Sequence, residues 1–253
     1  MNTLEIKHLT MRFGGLVAVS DFNLNLEKGK IVGLIGPNGS GKTTVFNVIT
    51  GFYKPTEGEL LLEGKKITGL TPDRITARGL TRIFQNSRVF RDLSVFDNVM
   101  VGDHLRMGSN PFSAIVGMPG YMAHEKRAVE QTKSLLEGLG LIDYINEKAG
   151  ALPYGLQRKL EVARALSTRP KVLLLDEPAT GMTSEETTEM MNFILGVRET
   201  YDLTILMIEH HMKVIMGICQ HILVLNYGKT IASGVPSEIQ NNKEVIDAYL
   251  GAG

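Results

Sequence analysis

The run Gly36-Pro37-Asn38-Gly39-Ser40-Gly41-Lys42-Thr43 limits more than any other feature what this chain can become. It has the form G-x-x-x-x-G-K-[ST], whose glycines let backbone N–H groups turn inward around phosphate oxygens. Both flanks suit that use. Ile31 to Ile35 is a short apolar run of the buried-strand kind, and Thr44 to Ile49 continues with helical character. A helix starting there directs its positive dipole end at an anion. Lys42 can reach the β- and γ-phosphates of a nucleotide, and the Thr43 hydroxyl can bind Mg²⁺. An incidental glycine-rich turn would require neither flank.

Further residues placed at strand ends complete the pattern. Val172 to Leu175 is an apolar strand that ends in Asp176-Glu177-Pro178. A carboxylate at the end of a parallel strand faces the same crevice as the phosphate loop. Asp176 can orient Mg²⁺ through its water shell, and Glu177 can accept a proton from an attacking water. A second apolar run, Leu203 to Ile208, delivers Glu209-His210-His211, and His210 is placed to donate to a γ-phosphate. Thr81-Arg82-Ile83-Phe84 is a short strand that ends at Gln85, whose amide can touch Mg²⁺ or the lytic water.

The remaining chain reads as alternating strands and helices. Residues 3–9 and 21–27 alternate apolar and polar, and Glu59 to Glu63 adds a short strand, so an antiparallel sheet is expected there. Pro72 after Thr71 opens a helix. Asn110-Pro111 and Pro119-Gly120 mark a loop, and an amphipathic helix is expected over His124 to Leu139. Leu156, Leu160, Ala163 and Leu166 recur at helical spacing. Thr183-Ser184-Glu185-Glu186 predicts a capping box before a core stripe of Met190, Ile194 and Val197. Ile222 to Leu225 is one more buried strand, and the tail from Pro236 to Leu250 reads as a strand exit and a final helix. The fold class is α/β, with a parallel sheet interrupted by a mostly helical insertion.

Bulk properties exclude several roles. Lys plus Arg and Asp plus Glu each number 27, so no overall field draws the chain to nucleic acid. Cys219 is the single cysteine, which rules out an intrachain disulfide. No apolar run is long enough to span a bilayer, and the first residues lack a signal-peptide layout. A cytosolic location is expected, with membrane association through a partner.

In their order along the chain, the phosphate loop, Gln85, a signature segment, Val172 to Glu177 and His210 resemble the ATP-binding subunits of ABC transporters, and the resemblance spans nearly the whole chain. That resemblance implies a P-loop NTPase (RecA-like) core with an antiparallel β subdomain and an inserted helical subdomain. It implies one ABC ATPase domain over 1–253, with a nucleotide-binding core at 1–86 and 167–253 and the helical part at 87–166. ATP and Mg²⁺ are the implied cofactors. ATP would contact Gly36, Pro37, Asn38, Gly39, Ser40, Gly41, Lys42, Thr43 and Thr44, with Phe13 stacking on adenine and Val17 beside it. Thr43, Gln85 and Asp176 are the implied metal residues, and Glu177, His210 and Gln85 the catalytic ones.

The family's signature, Leu-Ser-Gly-Gly-Gln, contacts the γ-phosphate on the opposite subunit. Here the segment is Leu152-Pro153-Tyr154-Gly155-Leu156-Gln157, so Pro153 supplies neither hydroxyl nor N–H and Tyr154 stands for the first glycine. Gly155 and the helix start remain. Thr183 also stands where the family usually has Asp or Asn.

Phe13-Gly14-Gly15-Leu16, Gly51-Phe52-Tyr53-Lys54-Pro55, Ile208-Glu209-His210 and Ala248-Tyr249-Leu250-Gly251 are similar to the branch that imports branched-chain amino acids, as is the insertion near 106–125. The implied partners are a second ATP-binding subunit, identical or paralogous, the transmembrane permease subunits, and a solute-binding protein indirectly. Arg88, Phe90, Arg91 and Phe96 are candidate permease contacts, although Phe96 is better read as core. A subunit serving another solute or an exporter, a non-hydrolysing regulatory subunit, and a soluble ABC ATPase outside transport remain open alternatives. A small-molecule kinase would need an acceptor pocket and an arginine-rich lid.

Overall fold

The computed structural model describes residues 2–85, 89–104 and 119–250. Arg88, the Asn110-Pro111 loop signal, most of the 106–125 insertion and Gly251 lie outside the described residues. The chain divides into one compact unit of residues 1–85 with 171–253, and a second of residues 86–170.

The first unit holds two sheets. Strands β1 (Asn2–Phe13), β2 (Leu16–Glu27), β4 (Glu57–Leu62) and β5 (Lys65–Lys66) form an antiparallel sheet in the order β2-β1-β4-β5. Burial alternates along β2 from Phe22 onward and at the end of β4, so each of these strands has one apolar face. The larger sheet contains β3 (Ile31–Ile35), β6 (Leu80–Ile83), β7 (Val172–Asp176), β8 (Thr204–Ile208), β9 (His221–Asn226) and β10 (Lys229–Gly234). Its order is β10-β9-β3-β8-β7-β6, parallel throughout except for the edge pair β9 and β10. Every residue of β3, β7 and β8 is buried, which explains why these strands are continuous apolar runs rather than alternating ones.

Helix α1 (Lys42–Ile49) buries Val45, Phe46, Val48 and Ile49 in a core shared with Phe22 and Leu26 of the antiparallel sheet and with Leu34, Leu174 and Leu206 of the parallel one. Burying each phenylalanine contributes on the order of 2 kcal/mol. Helix α2 (Pro72–Ala77) starts at the proline that the sequence marks, after Thr71. The parallel strands end together on one side, so β3, β6, β7 and β8 lead respectively to Gly36, Phe84-Gln85, Glu177 and Glu209-His210.

Two hairpins escape the sequence patterns. β5 is only two residues of lysine, and β10 is a polar strand ahead of the tail, where the pattern marks none. The tail from Pro236 to Leu250 holds two short helices in place of a strand exit and one helix, since Pro236 opens a helix at its first turn. The β9–β10 turn is made by Tyr227 and Gly228 with φ of 44° and 77°, the double left-handed geometry that tight hairpins require.

In the second unit, helices α3 (Val95–His104), α4 (Pro119–Gly138) and α5 (Tyr154–Ser167) pack around Val95, Val99, Ala128, Leu136, Leu139 and Leu160. α4 begins five residues before the expected His124, because Pro119 is accommodated in a first turn where no N–H partner is needed. The Pro119-Gly120 pair is therefore a helix start and not part of a loop. Asn98 is fully buried and ties down the preceding loop, donating to Phe90 O at 3.0 Å and accepting from Phe90 N at 2.8 Å. Phe90 is 48% exposed with the Arg164 guanidinium over its ring, whereas Phe96 is half-buried.

Helices α6 (Ser184–Thr200), α7 (Met212–Ile218), α8 (Pro236–Gln240) and α9 (Lys243–Leu250) complete the first unit. α6 carries the expected capping box. Glu186 N donates to Thr183 Oγ1 at 3.2 Å, and Thr183 N donates to Glu186 Oε2 at 2.8 Å. Its stripe of Met190, Ile194 and Val197 is buried. Among the described residues no helix is long and apolar enough to cross a membrane.

Candidate nucleotide and active site

The loop after β3 has the shape of an anion cradle. Gly36 has a φ of 148°, and a Cβ there would lie 2.0 Å from Leu225 O. Gly41, with φ 106°, caps α1 without a side-chain hydrogen bond, so the first-turn N–H groups have no side-chain cap. Ser40 Oγ is buried with no hydrogen-bond partner. The Lys42 ammonium folds back onto the loop, donating to Gly36 O at 2.7 Å and Pro37 O at 2.9 Å. Burial pushes its pKa below the usual lysine value, while the Glu177 and Asp176 carboxylates oppose that shift. Glycines that admit no side chain, uncapped N–H donors and a lysine aimed into the loop fit the phosphates of a nucleotide.

The β1–β2 hairpin lies beside this cradle. A Cβ on Gly41 would come 2.7 Å from Ala18 O, the neighbour of Val17. Phe13 and Val17 are both exposed, at 41% and 36%. Phe13 meets Tyr53 edge to face at 5.2 Å, which leaves its ring available for a flat partner. Thr43 is exposed and Thr44 half-buried, in the first turn of α1.

Two expected residues converge on one oxygen of a third, Glu177. Gln85 Nε2 donates to Glu177 Oε2 at 2.6 Å, and His210 Nδ1 lies 3.4 Å from the same atom. Thr180 Oγ1 also donates to it, at 3.0 Å. Glu177 has φ 49°, an uncommon conformation for a residue with a side chain, directly after β7. Its N–H donates to Ile208 O at 2.9 Å, which ties the end of β7 to that of β8. Asp176 is 9% exposed, and its Oδ2 is taken by Arg82 Nη2 at 2.5 Å. Asp176 and Gln85 carry the oxygen donors that Mg²⁺ prefers, and Thr43 adds a hydroxyl on the loop that presents Lys42.

Two partners went unforeseen from the sequence. Arg82 is one, although an arginine in a buried strand requires an anion and the acids at strand ends were available. Glu209 is the other. It is 1% exposed, and its Oε1 accepts from the N–H groups of His210 and His211 at 3.2 and 3.1 Å and pairs with His211 Nδ1 at 2.6 Å. An acid next to a strand-end histidine was the signal.

In the helical unit, Pro153 is the N-cap of α5 and makes no side-chain cap bond. The Tyr154 hydroxyl accepts from Arg158 at 2.8 and 3.0 Å, and the guanidinium lies over the Tyr154 ring. Gln157 Nε2 donates back to Leu152 O at 2.7 Å. A Cβ at Gly155 would meet nothing within 4 Å, so that face of the helix start is open.

The sequence model of the ABC transporter family matches residues 19–180, which span the phosphate loop, Gln85 and Asp176-Glu177. The chain belongs to the ABC transporter family. Within that family it is an ATP-binding, ATP-hydrolysing subunit. A second model, for the branched-chain amino acid ATP-binding cassette transporter, matches residues 229–253 of this ABC subunit. The high-affinity branched-chain amino acid transport ATP-binding protein BraF of Pseudomonas aeruginosa is 44% identical over 98% of this chain and 97% of its own. LivG of Escherichia coli, with the same description, is 45% identical over the same shares. A solved ATP-binding cassette of an ABC transporter in its ADP conformation superposes with a TM-score of 0.87 at 30% identity, covering 99% of both chains.

Proposed function

We propose that this subunit powers the import of branched-chain or other hydrophobic amino acids by binding and hydrolysing ATP. The observation that supports it most is the similarity to BraF and LivG along 98% of the chain, joined to the branch-specific match at 229–253. The partners are transmembrane permease subunits, a second ATP-binding subunit and, indirectly, a solute-binding protein. The subunit sits at the cytoplasmic face of the membrane, held there by the permease.

The geometry supports the following roles. Gly36 to Thr44 hold the triphosphate, and Lys42 exchanges its two carbonyl partners for phosphate oxygens. Phe13 stacks on the base, with Val17 alongside. Thr43, Asp176 and Gln85 hold Mg²⁺, which when bound neutralises phosphate charge. Glu177 is the base for the attacking water, Gln85 positions that water, and His210 donates to the γ-phosphate. Two nucleotide sites form between two such subunits, each closed by the partner's signature segment. Pro153, Tyr154, Gly155 and Gln157 of this chain serve the opposite site, through the open helix start at Gly155. Closure by ATP and reopening after hydrolysis shift a two-state equilibrium through the difference in affinity between the states.

Deleting the gene and measuring uptake of labelled leucine tests the function, together with affinity purification of the tagged chain from membranes. Loss of leucine uptake, restored by wild type but not by Lys42→Ala, is the expected result, with permease chains co-purifying. Unchanged uptake of leucine, isoleucine and valine would overturn the assignment.

A further inference from the structure

Arg82 is the single charged residue of β6, and its side chain is only 4% exposed. It is fixed from several directions. Nη2 donates to Asp176 Oδ2 at 2.5 Å, and Nη1 donates to Asn47 Oδ1 on α1 at 2.7 Å. The guanidinium lies 4.4 Å from the Phe84 ring centre and 5.3 Å from that of Phe46. Its Nε is buried without a hydrogen-bond partner. A buried ion pair is seldom more stable than apolar packing of the same volume, and an unmet buried donor adds a cost. Stability alone therefore gives little reason for an arginine here.

The position of the pair suggests another reason. Asp176 and Glu177 are consecutive, and each is bonded to a side chain from one end of β6, Asp176 to Arg82 and Glu177 to Gln85. We propose that Arg82 is a positioning residue for the metal step: by holding Oδ2 of Asp176 it fixes the carboxylate and leaves Oδ1 for the water shell of Mg²⁺. The inference rests on the assignment of Asp176 to Mg²⁺. An arginine anchored on α1, on β7 and between two rings acts as a strut. It does not act as a gate that swings aside to release the carboxylate. Outer-shell partners of this kind change metal affinity when removed, because the ligand's orientation is lost.

The test uses the purified full chain and a fluorescent ATP analogue, titrated first in EDTA and then with Mg²⁺, with thermal melting as the check on folding. Arg82→Met fills the space between the rings without charge. It is expected to leave nucleotide affinity in EDTA unchanged and to raise the Mg²⁺ concentration at half-saturation by about tenfold or more. Arg82→Lys restores part of that loss, because an ammonium can reach Asp176 but cannot hold Asn47 in a second fixed arm. Asn47→Leu keeps the arginine, removes one anchor, and shifts the Mg²⁺ requirement in the same direction by less. If Arg82→Met fails to fold, an unshifted Mg²⁺ requirement in Asn47→Leu and Arg82→Lys overturns the proposal. So does a tighter Mg²⁺ response in Arg82→Met, which is the signature of a gate. A wild-type chain with no Mg²⁺ dependence would instead overturn the metal assignment of Asp176.

Discussion

Replacing Gly36 by alanine puts a methyl group 2.0 Å from Leu225 O, 2.8 Å from Ser40 Oγ and 3.0 Å from Leu225 C. The first distance is more than 1 Å short of the 3.4 Å at which ordinary contact begins. Leu225 lies in β9, paired with β3 and β10 in the sheet, so the carbonyl is not free to retreat. The loop must move instead. The backbone also holds φ at 148°, which costs a residue with a side chain about 1–3 kcal/mol. At about 1.4 kcal/mol per decade the strain alone lowers affinity by roughly fivefold to 150-fold. Displacing the cradle also takes N–H donors off the phosphate oxygens, and each hydrogen bond to a charged group lost this way costs about 1.5–3 kcal/mol, roughly tenfold to 150-fold more. Gly39→Ala is the matched control. It sits in the same loop with φ 76°, but a Cβ there meets no atom within 4 Å, so only strain of about 1–2 kcal/mol applies. Displacement of a fluorescent ATP analogue in EDTA measures both, with thermal melting to verify the fold. Gly36→Ala should lose measurable ATP binding while Gly39→Ala weakens it by about tenfold. Near-normal binding by Gly36→Ala, or equal losses in the two variants, would refute the steric reasoning.

Pro153→Ser gives the signature position a hydroxyl and gives α5 a side-chain cap. The ATPase rate of the assembled transporter should rise by up to about tenfold, a fraction of the roughly 100-fold a lost transition-state donor can cost. An unchanged rate would show that Gly155 and the helix N-terminus suffice. Thr183→Ala removes one half of the capping box and should lower unfolding free energy by about 1 kcal/mol in urea titrations. No change would mean that packing of Met190, Ile194 and Val197 alone sets the start of α6.

Much of the nucleotide-binding core was legible because its signals are local and physically forced. β3, β7 and β8 are buried on both faces and so appear as unbroken apolar runs, each followed by a residue that chemistry places at a strand end. The Thr183 box was readable since four consecutive residues determine it. The misses share the opposite property. β5 and β10 are polar strands whose existence depends on a neighbour's edge, and the Tyr227-Gly228 turn that makes β10 carries only one glycine as a cue. Pro119-Gly120 looked like loop punctuation, because the same residues serve a turn and a helix start. Arg82 pairs with a residue 94 positions away, and only the parallel register of β6 beside β7 brings the two together. The roles of Asp176 and Glu177 could be proposed from the chain, but their restraint by Arg82 and Gln85 required coordinates.

The central claim is that Gly36 to Thr43 grip ATP and that Glu177 assists its cleavage. Glu177→Gln keeps the size of the side chain and its place beside Gln85 and His210 while removing the base. Single-turnover hydrolysis of labelled ATP by the assembled transporter, alongside ATP binding, measures the two halves together. The account predicts wild-type ATP affinity with hydrolysis slowed by about 100-fold or more. Hydrolysis at the wild-type rate in Glu177→Gln would contradict it.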